Sequence, residues 1–205
     1  ASRTASVDGG AGMGRQYIEL MLRRAALLPD PDRRAPFALP GLCVICRSWC
    51  AHGLCEPCVD RFAVDLPRCA RCARRTAVPV ASCGSCLQVP PAYELTVALA
   101  DYRPPWPALI SAFKFRQQVE LAGALAHALD DAIRRQGAPA PGLVVPVPLS
   151  ALRLRERGFN QAWELARRLA RRNGLRASAG ALHRVRDTAH QVGMTRAQRA
   201  SNLRD

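Results

Sequence analysis

The chain has 205 residues, with 30 Lys and Arg against 16 Asp and Glu, and therefore a net charge of +14. Such an excess of positive charge favours polyanionic partners, such as nucleic acid or phosphorylated small molecules. Hydrophobic residues make up 49% of the sequence, which excludes a wholly disordered chain, and no apolar run approaches the roughly 18 residues that a membrane-spanning helix needs.

Two segments precede the first cysteine. Residues 1–14 are small and Gly-rich and predict a disordered tail, and residues 15–36 predict an amphipathic helix with its linker. We expect this helix to dock on the body of the protein; the alternative is a membrane-surface helix. Charged residues interrupt its apolar positions, which argues against a secretion signal, so we expect the chain to stay in the reducing cytoplasm.

Residues 37–91 contain four Cys-x-x-Cys pairs and too few aliphatic residues for an oily core. Two residues between the cysteines let a tight turn aim both thiolates at one ion, and two such turns complete a tetrahedral shell. Four thiolates leave no position for a catalytic water, so the pattern predicts a double zinc ribbon with two structural Zn²⁺ sites; redox chemistry is the alternative. We assign the first ion to Cys43, Cys46, Cys55 and Cys58 and the second to Cys69, Cys72, Cys83 and Cys86.

Two points about these pairs stay open. Gaps of 8, 10 and 10 residues favour consecutive pairs as the two arms of one ribbon, whereas an interleaved pairing is the alternative. Cys50 is left over and is interpreted as a bystander thiol, with His52 nearby as a conceivable substitute ligand.

Residues 92–205 alternate between strand and helix patterns. Apolar residues recur with a period of two over 93–99, which predicts a half-buried strand, and the Pro-rich cluster at 104–107 then starts a helix. Leucines at a spacing of four from Leu121 predict a second helix that ends at Arg134 and Arg135, whose charge suits a helix C-terminus.

The second half of this region repeats the alternation. Residues 143–148 predict a buried parallel strand, and Asn160 can cap a helix that ends at Asn173. Thr195 and Gln198 form a capping box that opens a last helix. Strand, helix, strand, helix predicts the α/β class with an incomplete sheet.

The charge is concentrated in this region. Residues 1–102 hold 12 basic and 9 acidic residues, a net of +3, whereas residues 103–205 hold 18 and 7, a net of +11. Residues 153–161 place a basic loop after a strand and lead it into a helix N-terminus. Free backbone N–H groups and Arg side chains bind phosphates at such places, and a solvated basic loop is the alternative.

The order of these motifs resembles the ComF family, zinc-ribbon proteins with a phosphoribosyltransferase-like domain that are linked to DNA uptake in natural transformation. The likeness covers residues 40–205. It is carried by the four cysteine pairs, by residues 112–115, 145–148 and 157–161, and by Arg184, Thr188, Gln191, Arg199 and Asn202.

This resemblance implies a type I phosphoribosyltransferase fold over residues 92–205, in which the loop after residue 148 faces the pyrophosphate of phosphoribosyl pyrophosphate. By position, Lys114 would reach a phosphate from the hood region. A further set of residues would bind the pyrophosphate or order its loop, namely Arg157, Gly158, Asn160 and Gln161, with Arg153 and Arg155 as helpers.

One departure from the family matters. The strand with two acidic residues and a Thr-Thr-Gly loop, which handles the 5′-phosphate, the ribose and Mg²⁺, has no counterpart here. Asp130 and Asp131 fall on a predicted helix and do not replace it. We therefore expect a C-terminally truncated chain that is inactive alone as a phosphoribosyltransferase and whose sheet has an open edge.

Three functions compete at this point. The intact relative could bind phosphoribosyl pyrophosphate and transfer the sugar phosphate, as a purine or pyrimidine salvage enzyme does. The basic surface could bind single-stranded DNA, or the chain could be a zinc-stapled scaffold that acts through DNA-processing protein partners. A DNA backbone track, or only the solvated face of a helix, would comprise Arg167, Arg168, Arg171, Arg172 and Arg176.

Overall fold

The computed structural model describes residues 40–184 of the chain. A short antiparallel hairpin opens this part, with Gly41 opposite Cys50 and Leu42 opposite Trp49. Helices make up most of the remaining regular structure. In chain order the elements are β1 (Gly41–Leu42), β2 (Trp49–Cys50), α1 (Glu56–Phe62), α2 (Gly84–Gln88), α3 (Trp106–Phe115), α4 (Leu121–Arg135), α5 (Ala151–Arg157) and α6 (Gln161–Arg172).

The three longest of these helices confirm the sequence analysis. Helix α3 begins directly after the Pro-rich cluster, and α4 ends in two arginines as its charge pattern predicts. Helix α6 is capped by Asn160, whose side chain accepts hydrogen bonds from the first turn. None of the helices between residues 40 and 184 is long and apolar enough to span a bilayer.

The predicted strand over residues 93–99 is wrong. Within residues 40–184 no strand pairs with this segment, which bonds instead to the cysteine-rich region. The Thr96 N–H donates to the Ala70 carbonyl at 2.9 Å, and the Thr96 hydroxyl donates to the Arg71 carbonyl at 2.5 Å. Period-two alternation therefore marks an extended segment here without a sheet around it.

The predicted parallel strand over residues 143–148 is reduced to one bridge. Val144 pairs in parallel with Ala177, and its N–H donates to the Arg176 carbonyl at 2.9 Å. In the described part of the chain the named strands form a single two-stranded sheet. The architecture is therefore a mixture of helices with a small sheet, and the parallel sheet expected of the α/β class is not seen between residues 40 and 184.

The basic segment before Asn160 is a helix, α5, rather than the predicted loop. The Ser150 hydroxyl accepts from the Arg153 N–H at 3.4 Å and caps its start. Gly158 ends it in a left-handed conformation with φ of 77°, and its N–H donates to the Leu154 carbonyl at 2.8 Å. A Ser and a Gly that bracket seven residues were the signal for this helix in the sequence.

Several predictions fall outside the described residues. These are the tail over 1–14, the amphipathic helix over 15–36, and the capping box of Thr195 and Gln198. The family positions Thr188, Gln191, Arg199 and Asn202 also lie there.

One hydrophobic core joins the cysteine-rich region to the helices. Trp106 is 4% exposed and its indole N–H donates to the Phe62 carbonyl at the end of α1, at 2.7 Å. Gly53, with φ of 74°, lies so close to α4 that a Cβ there would approach the Ala124 Cβ to 3.0 Å. The core residues are Cys43, Leu54, Cys58, Ala63, Trp106, Phe113, Leu121, Ala122, Ala124, Leu125 and Ala128.

A buried carboxylate holds α4 against α6. Asp130 is 1% exposed, and its oxygens accept from the Asn173 amide at 2.6 Å, the Arg172 guanidinium at 3.1 Å and the Arg134 guanidinium at 3.3 Å. Burial raises the pKa of Asp130, but the hydrogen bonds from Asn173 and Arg172 outweigh burial and the pKa is lowered overall. The carboxylate thus holds two helices together, in agreement with its predicted place on a helix.

We predict that Asp130→Asn lowers the free energy of unfolding by about 3 kcal/mol, because it leaves Arg172 without its buried acceptor. Asp131→Asn is the matched control, since the Asp131 side chain is 39% exposed. Urea unfolding measures both. Because the folded pKa of Asp130 lies below its unfolded value of about 3.9, its contribution is complete above that pH and disappears as the pH falls through the folded pKa. Equal stability of the two variants at neutral pH would contradict the role of Asp130.

Candidate metal centres and the basic segment

The cysteine pairs converge into two clusters of four. Within each cluster all four sulfurs lie within 4.8 Å of one another. The consecutive pairing is confirmed and the interleaved pairing is wrong. The first cluster comprises Cys43, Cys46, Cys55 and Cys58, and the second comprises Cys69, Cys72, Cys83 and Cys86.

The first pair of each cluster lies in a tight turn. The Arg47 N–H donates to the Cys43 carbonyl at 2.9 Å, and the Ala73 N–H donates to the Cys69 carbonyl at 2.8 Å. Arg47 and Ala73 have φ of 66° and 56°, which turns the chain sharply after the second cysteine. The same local design thus occurs twice.

The second pair of each cluster lies at a helix N-terminus. Cys55 precedes α1 and Cys83 precedes α2, both with extended backbone at the cap position. The next ligand follows within the first turn: the Cys58 N–H donates to the Cys55 carbonyl at 3.1 Å, and the Cys86 N–H to the Cys83 carbonyl at 2.8 Å. One arm of each cluster is therefore a turn and the other is a short helix.

Backbone N–H groups favour ionisation of the leading thiol of each cluster. Burial raises the pKa of Cys43, but the N–H groups of Cys46, Cys55 and Ile45 bring it down to about 6. Hydrogen bonds from the Cys72 N–H and, at 3.2 Å, from the Cys83 N–H lower the pKa of Cys69 to about 6.

Burial and the neighbouring sulfurs oppose ionisation of the last thiol of each cluster. Burial and the adjacent sulfurs raise the pKa of Cys58, and they raise that of Cys86 to about 12. A bound divalent cation would lower these pKa values again, because it stabilises four thiolates together.

The clusters fit a tetrahedral metal ion. Metal–sulfur bonds of about 2.3 Å separate neighbouring sulfurs by about 3.8 Å in a tetrahedron. The Cys46 and Cys55 sulfurs are 3.5 Å apart and the Cys72 and Cys83 sulfurs are 3.7 Å apart. Four protein ligands would complete the shell, so both clusters are compatible with structural metal sites.

The residues left over from these clusters have other neighbours. Cys50 packs against the hydrophobic core and belongs to neither group of four. The His52 ring stacks on His127 of α4, with centroids 4.0 Å apart, rather than replacing a cysteine. No sequence pattern predicts this histidine pair, because its members lie 75 positions apart.

The two clusters have different neighbours. Cys43 is fully buried and Cys58 is 6% exposed within the core that contains Trp106. The second cluster is tied instead to the segment that leads into α3: the Arg68 guanidinium binds the Asp101 carboxylate at 2.8 Å, and the Arg71 guanidinium donates to the Pro91 carbonyl at 3.4 Å. The first cluster thus supports the helical core and the second positions a connecting segment.

Lys114 and Arg157 form a small cationic group. The Arg157 guanidinium donates to the side-chain Oε1 atom of Gln161 at 3.0 Å and lies 5.0 Å from the centroid of the Phe115 ring. Burial and the charge of Arg153 lower the pKa of Arg157, and burial and the charge of Arg157 lower the pKa of Lys114. These cations lie close enough to repel one another, and an anion between them would relieve that repulsion.

Backbone N–H groups that were expected to bind phosphate at the start of α6 have a hydrogen-bond partner inside the protein. The side-chain Oδ1 atom of Asn160 accepts from the backbone N–H groups of Ala162 and Trp163 at 2.9 and 3.4 Å. Its NH₂ group donates to the Val147 carbonyl at 3.2 Å, which ties the helix start to the preceding segment. Two of the backbone N–H groups that the sequence analysis expected to be free for phosphate at this terminus are therefore already engaged.

Three arginines of the predicted track lie in ion pairs. Arg167 and Arg168 both bind the Glu164 carboxylate at 2.5 Å, and Arg172 binds Asp130. Arg168 is only 9% exposed. Neither a continuous track nor a fully solvated face describes the run, because much of its charge is neutralised within the fold.

The sequence analysis missed a cavity of about 450 Å³ beside the cationic group. It is lined by α3, α4, α6 and residues 98–102, and Gln161 forms part of its wall. No single motif indicates it, because four separate segments supply the lining.

Comparison with known proteins identifies relatives over most of the chain. The DNA utilization protein YhgH of Salmonella typhi is 35% identical over 174 residues, which cover 82% of this chain and 77% of that protein. YhgH of Escherichia coli K12 matches with the same identity and coverage. Competence protein F of Haemophilus influenzae is 31% identical over 170 residues, 80% of this chain and 74% of that protein.

Two other comparisons found no match. No protein-family model matches the chain. No solved structure matches it either.

We predict that the metal-loaded protein carries two divalent ions and that Cys43→Ser and Cys69→Ser each lose one of them. Cys43→Ser should also lower the melting temperature of the helical core, because Cys43 is part of that core. Cys69→Ser should leave the core folded and speed amide hydrogen exchange over residues 91–101. Metal analysis, circular dichroism and hydrogen exchange measure these effects.

Cys50→Ser is the control for both variants, since Cys50 lies in neither cluster. A protein that keeps two ions after either ligand substitution contradicts the assigned sites. If both ligand substitutions destabilise the core equally, the two clusters do not have the separate structural roles assigned to them.

Proposed function

Because this chain belongs to the ComF family, we propose that it acts in the uptake and use of external DNA. The observation that carries this proposal is its identity of 31–35% to relatives named competence protein F and DNA utilization protein. Two four-cysteine clusters, which fit the double zinc ribbon of the family, support it independently.

We propose Zn²⁺ as the metal of both clusters. Thiolates are soft ligands that favour Zn²⁺ over Mg²⁺ or Ca²⁺, and an all-cysteine tetrahedral shell is typical of structural zinc. Free thiols at this density suit a reducing compartment, so we place the protein in the cytoplasm.

For the basic segment we propose a pyrophosphate-binding anion site of the phosphoribosyltransferase type, which in intact relatives would take phosphoribosyl pyrophosphate with Mg²⁺. Lys114 and Arg157 would contact phosphate, with Arg153 as a helper. Gly158, Asn160 and Gln161 would order the segment, in keeping with the helix cap, the bond to Val147 and the bond to Arg157. Support comes from the mutual repulsion of the cations, because within residues 40–184 neither Lys114 nor Arg157 forms an ion pair.

For DNA we propose mainly electrostatic contact with single strands. Aromatic residues make up only 5% of the chain, which leaves few rings for base stacking. The ion pairs of Arg167, Arg168 and Arg172 favour a second candidate, a zinc-stapled scaffold that works through DNA-processing protein partners.

We predict that a Haemophilus influenzae strain lacking its competence protein F regains transformation when it expresses this chain. Arg157→Ala should reduce the number of transformants per viable cell by about tenfold, because one of the phosphate-binding cations is lost. Arg135→Ala removes an exposed arginine far from this group and is the control. Failure of the unaltered, stably expressed chain to restore any transformation would contradict the proposed role.

We also predict that inorganic pyrophosphate with Mg²⁺ binds the purified chain and that Lys114→Ala and Arg157→Ala each weaken this binding by about tenfold. Removing one charge-assisted contact has an effect of this size. Titration calorimetry measures it, again with Arg135→Ala as the control. The anion site is wrong if all three variants bind pyrophosphate as the unaltered chain does.

A further inference from the structure

The cavity beside the cationic group has the size and walls of a small-molecule site. Its volume of about 450 Å³ lies within the range of ligand pockets, and its walls are mostly apolar. Trp106 and Phe113 of α3, Leu125 and Leu129 of α4, and Leu165 of α6 contribute to them. Such walls suit a hydrocarbon body and would strip water from the hydroxyls of a sugar without replacing their hydrogen bonds.

A buried amide in this wall has an unused donor. Gln161 is 5% exposed, and its carbonyl oxygen accepts from Arg157, which fixes the orientation of the amide. Its Nε2 atom is buried and has no hydrogen-bond partner among residues 40–184. An unsatisfied buried donor is costly, so Nε2 marks a position where a ligand oxygen would be stabilised.

The charge around the cavity is positive at one end. Asp101 and Lys114 are the charged residues of its lining. The Asp101 carboxylate is neutralised by Arg68 and Arg75, which bind its two oxygens at 2.8 and 2.5 Å. Lys114 retains its charge and is reinforced by Arg157, so this end favours an anionic group.

We propose that the cavity binds an organic anion with an aromatic or branched apolar body and a carbonyl oxygen, which accepts a hydrogen bond from Gln161 Nε2 while the anionic group lies near Lys114. This ligand differs from the sugar phosphate proposed for the basic segment. The placement of its anionic end rests on the proposed anion site, whereas the cavity and the Gln161 contact do not.

The first test measures the contact with Gln161. The full chain loaded with Zn²⁺ is titrated with the fluorescent anion 8-anilinonaphthalene-1-sulfonate, which is then displaced by 4-acetylbenzoate or by 4-isopropylbenzoate. We expect 4-acetylbenzoate to bind about fivefold more tightly, because it alone offers the carbonyl, and Gln161→Met to remove this preference. A preference that persists in Gln161→Met, or that is absent from the unaltered chain, overturns the proposal.

The second test fills the cavity. Ala162 of α6 lines it and Ala108 of α3 is exposed outside it, so Ala162→Leu and Ala108→Leu add the same group in the first turn of a helix. We expect Ala162→Leu to weaken binding of 4-acetylbenzoate at least tenfold and Ala108→Leu to leave it unchanged. Equal binding by two folded variants refutes the cavity as the site, and if Ala162→Leu does not fold, the result with Gln161→Met decides.

A neutral probe separates this proposal from the anion site. We expect 4-methylacetophenone to bind more tightly than 4-isopropyltoluene in the same displacement assay, through Gln161 alone. If pyrophosphate does not bind but this preference is present, the anion site is wrong and the cavity site stands. If pyrophosphate binds and the ketone preference is absent, the cavity proposal is wrong and the anion site stands.

Discussion

The convergence of four cysteine sulfurs at the first cluster, an arrangement that fits one metal ion, is the interaction on which the rest of the fold depends. Cys43 and Cys58 lie within the hydrophobic core, and α1, which carries Cys58, receives the indole hydrogen bond of Trp106 at its end. The long helices have small inner residues, largely alanine, which bury little surface each. A metal ion bound by this cluster would supply cohesion that the aliphatic content of residues 40–90 cannot.

The second cluster extends this order into the region where ligands are proposed to bind. Its turn holds Thr96 by backbone hydrogen bonds and, through Arg68, holds Asp101, which lines the cavity. From there the chain runs into α3, whose inner face supplies further walls and whose end carries Lys114. The segment that the second cluster positions therefore also supplies part of the cavity wall. No cysteine of the cluster itself lines the cavity.

Local signals predicted most of what the structure contains. The pairing of cysteines followed from chain length between ligands, and α3, α4 and α6 followed from proline, arginine and Asn160 at their ends. What failed was mostly non-local. The alternation over 93–99 could not reveal that no strand of residues 40–184 pairs with it, and the arginine run of α6 could not reveal Asp130 as the partner of Arg172. The pairs of Glu164 with Arg167 and Arg168 are local, at spacings of three and four, and were missed. The cavity and the histidine pair depend on segments far apart in sequence, so only the folded chain shows them.

The close approach of Gly53 to Ala124 makes a loop residue as constrained as any in the interior. A methyl group at 53 would press α4 away from the metal-bound loop and would also require an unfavourable left-handed backbone, whereas trimming Ala124 to glycine would cost only helix propensity. Substitution is therefore tolerated at position 124 but not at position 53. Among homologous sequences the loop position should stay fixed while its helical neighbour alternates between the two smallest residues.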